Sequence, residues 1–322
     1  MKALVYHKYG PPDVLTLKEV EKPVAKDNQV LVRVHAASLN YGNLVLLKGE
    51  PFLARFAFGL LKPKYTIPGG DIAGIVEAVG KEVTQFQPGD EVFGDLSGSG
   101  WGGFAEYVSV PENALAIKPA NISLEEAAAV PMAAVTALQG LRNKGKIQPG
   151  QKVLVYGSSG GVGTFAVQIA KSFGAEVTGV CSTRNVDIVQ SIGADFYIDY
   201  TKEDFTKKTQ SYDLILAVNG HQPISVYKRA LNPNGIFVHI GGSESQMFQA
   251  MVLGPWYSMT GSKKMGNMLQ RANQEDLIYI KELIEAGKVK PVIDRSYKLS
   301  EVPEAFQYFA EGHAQGKVVI TI

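Results

Sequence analysis

Val153-Leu-Val-Tyr-Gly-Ser-Ser-Gly-Gly-Val-Gly163 decides the reading of this chain. A short β-branched strand runs into Gly157, Gly160, Gly161 and Gly163, and then into a helix whose apolar residues Val162, Phe165, Ala166, Ile169 and Ala170 recur at helical spacing. Glycines let the backbone turn sharply and approach a ligand without a Cβ clash. The helix that follows points unpaired N–H groups and the positive end of its dipole at an anion. A dinucleotide pyrophosphate fits such a turn, although a tight strand-to-helix connection can need the same glycines for structural reasons alone. Context favours the phosphate. Gly174 stands where a helix C-cap glycine belongs, and Glu176-Val-Thr-Gly-Val-Cys-Ser182 reads as a second buried strand. Strand, glycine turn, helix and strand within about thirty residues form the βαβ nucleotide-binding unit.

The end of that second strand meets the adenosine ribose, where proteins specific for NAD place an acidic residue. Here the segment is Cys181-Ser-Thr-Arg-Asn185. Two hydroxyls and a guanidinium would accept a 2′-phosphate through charge-assisted hydrogen bonds, so NADPH is the expected cofactor. The structural alternative is a helix N-cap at Ser182 or Thr183 beside a solvated Arg184.

At 322 residues the chain has room for two domains. Its composition, 45% hydrophobic and 20% charged with a formal net charge of +1, points to neither a nucleic-acid nor a membrane-surface partner. The start, Met-Lys-Ala-Leu-Val-Tyr, reads as a strand, and no apolar run reaches transmembrane length. A single cysteine, Cys181, forbids an internal disulfide and fits the cytoplasm. It reads as a small apolar strand-end residue, with a reactive thiol as the minor alternative.

Residues 1–121 carry short strands separated by Pro, Gly and Asp turns: Lys2 to His7, Gln29 to Ala36, Asp71 to Val79, Glu91 to Gly94 and Gly103 to Pro111. From 122 to 262 the pattern changes. Strands Val153 to Tyr156, Glu176 to Val180, Phe196 to Ile198, Leu214 to Val218 and Ile236 to Ile240 alternate with helices, as in a doubly wound parallel α/β sheet. The tail, 263–322, is expected to hold a helix from Gln274 to Gly287, an extended Val292 to Leu299, a helix near Val302 to Glu311 and a last strand. It is assigned with residues 1–121 to the substrate domain.

Several segments together resemble the medium-chain dehydrogenase/reductase superfamily over essentially the whole chain. They are Gly10-Pro-Pro-Asp-Val14, Val30-Leu-Val-Arg-Val-His-Ala-Ala-Ser-Leu-Asn40, Pro68-Gly-Gly-Asp-Ile-Ala-Gly-Ile-Val-Glu-Ala-Val-Gly80, Phe86-Gln-Pro-Gly-Asp-Glu-Val-Phe-Gly94, the glycine turn, and Gly316-Lys-Val-Val-Ile320. Within it the chain is similar to the zinc-independent quinone oxidoreductase branch, the zeta-crystallin-like proteins, with the related enoyl and alkenal reductases. The resemblance implies a Rossmann domain that binds NADPH and a β-rich GroES-like catalytic domain. The three catalytic zinc positions of the alcohol dehydrogenases align with Asn40, Gly70 and Met132, and the four-cysteine structural lobe is missing. Catalytic zinc needs thiolate, imidazole or carboxylate donors, so no metal is expected. His7, His35, His221, His239 and His313 show no close ligand spacing.

Carried over residue by residue, the resemblance implies a pyrophosphate turn at Ser159, Gly160, Gly161 and Val162, with Gly163 packing helix against sheet. It places the 2′-phosphate at Ser182, Arg184 and Tyr200. Further cofactor contacts fall at Val218 and Asn219, at Gly241 beside the nicotinamide, and at His313, Ala314 and Gln315. Around the reacting carbon it marks Asn40, to hold either the substrate oxygen or the nicotinamide ribose, with Tyr41 and Thr136, and Asn43 stands where an Asp is common. Amides do not titrate near neutrality, which leaves Tyr41 as the nearest proton donor in sequence, against a packing role.

Without a Lewis acid to lower an alcohol's pKa, the expected reaction is hydride delivery to an already electrophilic acceptor, a small hydrophobic quinone or an α,β-unsaturated carbonyl. Enoyl-thioester reduction and a non-catalytic NADPH-binding redox sensor stay open beside it. Phe52, Phe56 and Leu60, in an apolar segment bounded by Gly49 and Lys62, line the cleft between the domains or plug the β-rich core, with a surface amphipathic anchor as the lesser alternative because few basic residues lie nearby. The resemblance also implies a homodimer, in which Gly235 to Ile240, as the last parallel strand, could pair across the interface.

Overall fold

The computed structural model describes residues 1–203, 211–242 and 244–322. These divide into two compact units. One comprises Met1–Val135, Arg271–Glu285 and Pro291–Ile322, the other Thr136–Gln270 and Ala286–Lys290.

The second unit is built on six strands, all parallel. Across the sheet they run Phe196–Asp199, Glu176–Cys181, Lys152–Tyr156, Tyr212–Ala217, Leu231–His239 and Lys264–Asn267, which in chain order is 3-2-1-4-5-6. This is the doubly wound Rossmann order, whose switch point lies between the first and fourth strands. Its inner strands are near-continuous apolar runs because helices cover both faces. The helix Gly161–Ser172 buries Phe165, Ala166, Val167, Ile169 and Ala170, and each large side chain so buried contributes about 1.5–3 kcal/mol.

The structure adds two elements to this unit that the pattern reading did not separate. The helix Glu244–Thr260 contains Pro255. The strand Lys264–Asn267 lies alongside Leu231–His239, with Ile236 opposite Lys264 and His239 opposite Asn267. The segment Gly235 to Ile240 is therefore not the sheet edge expected to pair across a dimer, since its outer side is already hydrogen-bonded within the chain. Four residues reading Lys-Met-Gly-Asn offer no apolar alternation from which a strand can be recognised.

The first unit holds a seven-stranded sheet, almost entirely antiparallel. Its central strand, Gln29–Ser38, pairs with Asp71–Val79, with Tyr107–Pro111 and with the last strand Lys317–Thr321. A separate two-stranded sheet joins Lys2–Val5 to Thr16–Glu19. The core gathers Val32, Val34, Ile72, Val92, Phe104 and Phe306. Register is what matters for function: Ser38 lies opposite Asp71 on one side and opposite Val319 on the other, so the ends of three strands far apart in sequence meet.

Candidate active site

In the parallel-sheet unit the glycine turn has the geometry that a phosphate needs. Gly157 adopts φ +83°, a conformation that L side chains rarely adopt. A Cβ at Gly163 would lie 2.0 Å from the Gly157 carbonyl oxygen, so only glycine lets the helix start this close to the strand end. Gly160 is the extended N-cap, and Gly161, Val162 and Gly163 form the first turn, whose N–H groups have no intrahelical acceptor. Ser159 is 8% exposed, and its Oγ accepts a 2.8 Å hydrogen bond from Asn185 Nδ2, which fixes the turn against the end of the second strand.

Ser182 and Arg184 follow that strand end, and Tyr200 follows the paired strand Phe196–Asp199. The Tyr200 N–H donates to the Cys181 carbonyl at 3.0 Å, and its ring is 55% exposed. Ser182 has the N-cap position of the short turn Thr183–Asn185, yet its side chain makes no capping bond. The sequence of residues 181–185 holds no carboxylate, but the register brings one. Asp199 lies opposite Cys181 and accepts from Thr183 Oγ1, from Thr201 Oγ1 at 2.6 Å and from the Thr201 N–H at 3.0 Å, with Lys202 Nζ 3.4 Å away. Burial raises this carboxyl, but the hydroxyls of Thr183 and Thr201 and the Lys202 ammonium outweigh it and bring its pKa to about 2. One of the two hydroxyls expected for a phosphate is thus committed to Asp199. Cys181 is 1% exposed, and burial pushes its thiol up to about 11, which leaves it a packing residue.

Val218, Asn219 and Gly241 lie at the carboxyl ends of the fourth and fifth strands, beside the glycine turn. The Val218 and Asn219 N–H groups both reach the Tyr156 carbonyl, at 3.0 and 3.4 Å. The Gly241 carbonyl accepts from the Gly220 N–H at 3.0 Å. Thr136 is 6% exposed in the helix Pro131–Leu138. Gln246, which sequence reasoning missed, lies where a Cβ at Gly220 would be, 2.3 Å from that point. Its Nε2 donates to the Gln222 carbonyl at 2.9 Å.

Asn40, Tyr41, His313, Ala314 and Gln315 belong to the antiparallel-sheet unit. Asn40 is 7% exposed and caps the helix Tyr41–Lys48. Asn43, where an Asp is common, serves that cap, its Oδ1 accepting from the Asn40 N–H at 2.8 Å. Tyr41 is 64% exposed, so the packing role is not what this residue does in its own unit. His313 is exposed and Ala314 and Gln315 half-buried in the turn before the strand Lys317–Thr321. Phe52 at 60%, Phe56 at 71% and Leu60 at 49% exposure do not plug the β-rich core.

Beneath Asn40 lies an ion pair that no sequence pattern announced. Asp71 is 0% and Lys317 2% exposed. Asp71 Oδ2 accepts from Asn40 Nδ2 at 2.7 Å and from Ser38 Oγ at 3.0 Å, and stands 3.5 Å from Lys317 Nζ. Its Oδ1 accepts from the Met132 N–H at 3.0 Å. Lys317 Nζ also donates to Asn40 Oδ1 at 2.5 Å and to the Leu39 carbonyl at 3.0 Å. Burial raises the Asp71 carboxyl and lowers the Lys317 ammonium, and the attraction between them opposes both shifts.

The three aligned zinc positions surround this pair, and they do not fit a metal. Asn40 is an amide committed to Asp71 and Lys317. Gly70 has no side chain, and a Cβ there would meet the Trp101 ring at 3.0 Å and the Met132 methyl at 3.2 Å. Neither an amide, a thioether nor an empty position supplies a zinc donor of the usual kind. Among the described residues no three His, Cys, Asp or Glu side chains are grouped as a metal site requires. The glycine turn, by contrast, fits a dinucleotide.

Comparison with known proteins identifies the family. Residues 26–120 match the alcohol dehydrogenase GroES-like domain, and residues 192–320 match a model described as zinc-binding dehydrogenase. The chain is 37% identical to the chloroplastic quinone-oxidoreductase QR1 of Triphysaria versicolor, over 99% of this chain and 98% of that protein. It is 36% identical to the chloroplastic NADPH-dependent alkenal/one oxidoreductase of Arabidopsis thaliana, over 99% and 79%. Among solved structures, the quinone oxidoreductase from Coxiella burnetii superposes with a TM-score of 0.87 at 31% identity, covering 100% of this chain and 99% of that one. The chain belongs to the medium-chain dehydrogenase/reductase superfamily, in its quinone oxidoreductase branch. It is an oxidoreductase that works with a nicotinamide cofactor. Among the described residues no helix is long and apolar enough to cross a membrane.

Proposed function

We propose that this enzyme uses NADPH to reduce a quinone or an α,β-unsaturated carbonyl without a metal ion. The observation that carries the reading is the donor set at the aligned zinc positions. Asn40 is a hydrogen-bond donor there that can neither hold zinc nor titrate. Such a site cannot activate an alcohol, but it suits an acceptor that is electrophilic already. Bound NADPH supplies the hydride. Addition to a conjugated carbon or to a quinone moves the electron pair onto oxygen, where a fixed N–H stabilises the charge that develops. A proton then completes the saturated carbonyl or the hydroquinone, with Tyr41 the nearest titratable donor in sequence to Asn40. The substrate classes are those named for the relatives at 36–37% identity.

Preference for the phosphorylated cofactor rests on Ser182, Arg184 and Tyr200 at the two strand ends. Asp199 does not oppose it as a ribose acceptor, since Thr183, Thr201 and Lys202 occupy its oxygens. Ser159, Gly160, Gly161 and Val162 take the pyrophosphate, and Val218, Asn219, Gly241 and Thr136 the nicotinamide half, with His313, Ala314 and Gln315 as further cofactor contacts. A cytoplasmic homodimer accompanies this reading. Enoyl-thioester reduction and a sensor without turnover are not favoured by the relatives at 36–37% identity. The test follows NADPH oxidation with quinone and enone panels in the presence of chelator. Loss of turnover on chelation, or no acceptor turned over in either panel, refutes the proposal.

A further inference from the structure

Asp71 and Lys317 make no contact through which they could act on a substrate directly. They are at most 2% exposed, and both Asp71 oxygens and the Lys317 ammonium are engaged inside the unit. Asp71 accepts from Ser38, Asn40 and Met132 and faces the ammonium. The ammonium's three donors are directed at the Leu39 carbonyl, Asn40 Oδ1 and Asp71. The most exposed member is the Asn40 amide, at 7%, which keeps its second Nδ2 hydrogen and a second lone pair on Oδ1. Its orientation is dictated by charge: a flip would place N–H against the ammonium and C=O against the carboxylate, reversing two charge-assisted hydrogen bonds.

We infer that the Asp71–Lys317 pair is a positioning device for the reaction, which holds the Asn40 amide in one orientation so that its remaining N–H is the donor to the acceptor oxygen. The inference rests on the proposed role of Asn40 and adds to it the reason why the amide acts as a fixed dipole. The ammonium holds Oδ1 and the carboxylate holds one Nδ2 hydrogen, so the plane of the amide and the direction of its remaining N–H are both set. A donor held ready needs no reorganisation as charge develops, which is the condition for electrostatic stabilisation of a transition state. Asn40 is thus the catalytic residue, and Asp71 and Lys317 are positioning residues.

The test compares the full-length enzyme with the double variant Asp71→Asn/Lys317→Met. Removing both charges leaves an acceptor for the Met132 N–H and offers Asn40 Oδ1 a new amide donor at position 71, so the Asn40 amide is free to turn over. The expected result is a fall in kcat of at least about tenfold, the effect of losing one fixed oxyanion donor being on the order of 10²–10³. The KM for NADPH stays within twofold, whereas a merely structural pair would move both or neither. Turnover within twofold of the parent overturns the inference. A second measurement needs no variant. The side-chain amide protons of Asn40 in the parent, assigned by their loss in Asn40→Asp, are expected as a widely split pair with one proton slow to exchange. A degenerate, freely exchanging pair overturns the inference even if the double variant does not fold. If the parent reduces none of the acceptors, the proposed function fails, and the positioning of the amide is decided by this resonance pair alone.

Discussion

Lys317→Met leaves Asp71 as a buried carboxylate without its cation. Removing one partner of a buried ion pair costs about 3–5 kcal/mol, because the other charge stays behind uncompensated. Ser38, Asn40 and the Met132 N–H still donate to Asp71, so the cost falls at the lower end, about 3 kcal/mol at neutral pH. Its pH dependence has a definite sign. Burial already raises Asp71, and the Lys317 attraction that lowers it is lost. The folded-state pKa then lies above the unfolded value of about 3.9, and the folded form binds its proton the more tightly. Stability is therefore fully present below the unfolded pKa and lost as pH rises through the folded one. Asp71→Asn behaves in the opposite way. Burial lowers Lys317, and of the attractions that raise it the larger, from Asp71, is gone while that of the buried Asp95 remains. With a folded pKa below the unfolded value of about 10.4, stability is present above that value and lost as pH falls through the folded one. Urea unfolding between pH 5 and 9 measures both. The chain has two tryptophans, Trp101 in the antiparallel-sheet unit and Trp256 in the parallel-sheet unit, so Trp101 emission in a Trp256→Phe background reports on the unit that holds the pair. Two variants with parallel pH profiles, or a cost under about 1 kcal/mol, would refute the ion pair.

Gly163→Ala places a methyl group 2.0 Å from the Gly157 carbonyl oxygen, a backbone atom that cannot swing aside. Overpacking of this kind costs about 1–3 kcal/mol or more, so the melting temperature should fall and NADPH fluorescence titration should show weakened binding; a parental melt with parental affinity contradicts the close approach. Arg184→Glu removes a cation from the strand end, and the loss of one or two charge-assisted hydrogen bonds corresponds to a roughly 10- to 100-fold weaker NADPH complex. NADH affinity should change less than about threefold, and an unchanged NADPH-to-NADH ratio sinks the cofactor preference. Cys181, with its thiol at about 11 and 1% exposed, should resist alkylation at pH 7.5 in the folded enzyme and react at once in denaturant. Rapid labelling of the native protein would restore the reactive-thiol alternative.

The parts of the fold that were legible in the sequence are those encoded locally. The glycine turn is a contiguous run in which strand, turn and helix signals follow one another within about thirty residues, and helix spacing from Val162 to Ala170 fixes which face is buried. Lys264–Asn267 was not legible, because a four-residue strand carries too little pattern, and the mistaken dimer edge follows directly from that. Asp199 shows a second kind of limit. In sequence it is 18 residues from Cys181 and invisible from that strand's own end, while parallel pairing sets it directly opposite. Lys317 is the extreme case. It lies 277 residues from Asn40, inside a motif useful for recognising the family and uninformative about its neighbour.

That separation bears on how the chemistry is organised. A metal site declares itself in sequence because its ligands must be thiolates, imidazoles or carboxylates, whereas a donor held by a buried ion pair can be any amide that the sheet register carries to the right place. Here the register puts Ser38 opposite Asp71 and Val319 opposite Ser38, so the carboxylate and the ammonium arrive from strands flanking the one that leads into Asn40. In the role proposed for Asn40, the sheet does for the amide what coordination geometry does for a metal. The orientation of the amide is only as firm as the pairing of Gln29–Ser38 with its two neighbours. A substitution that slips this register would disable Asn40 without touching it, and would leave the glycine turn of the other unit able to bind its dinucleotide.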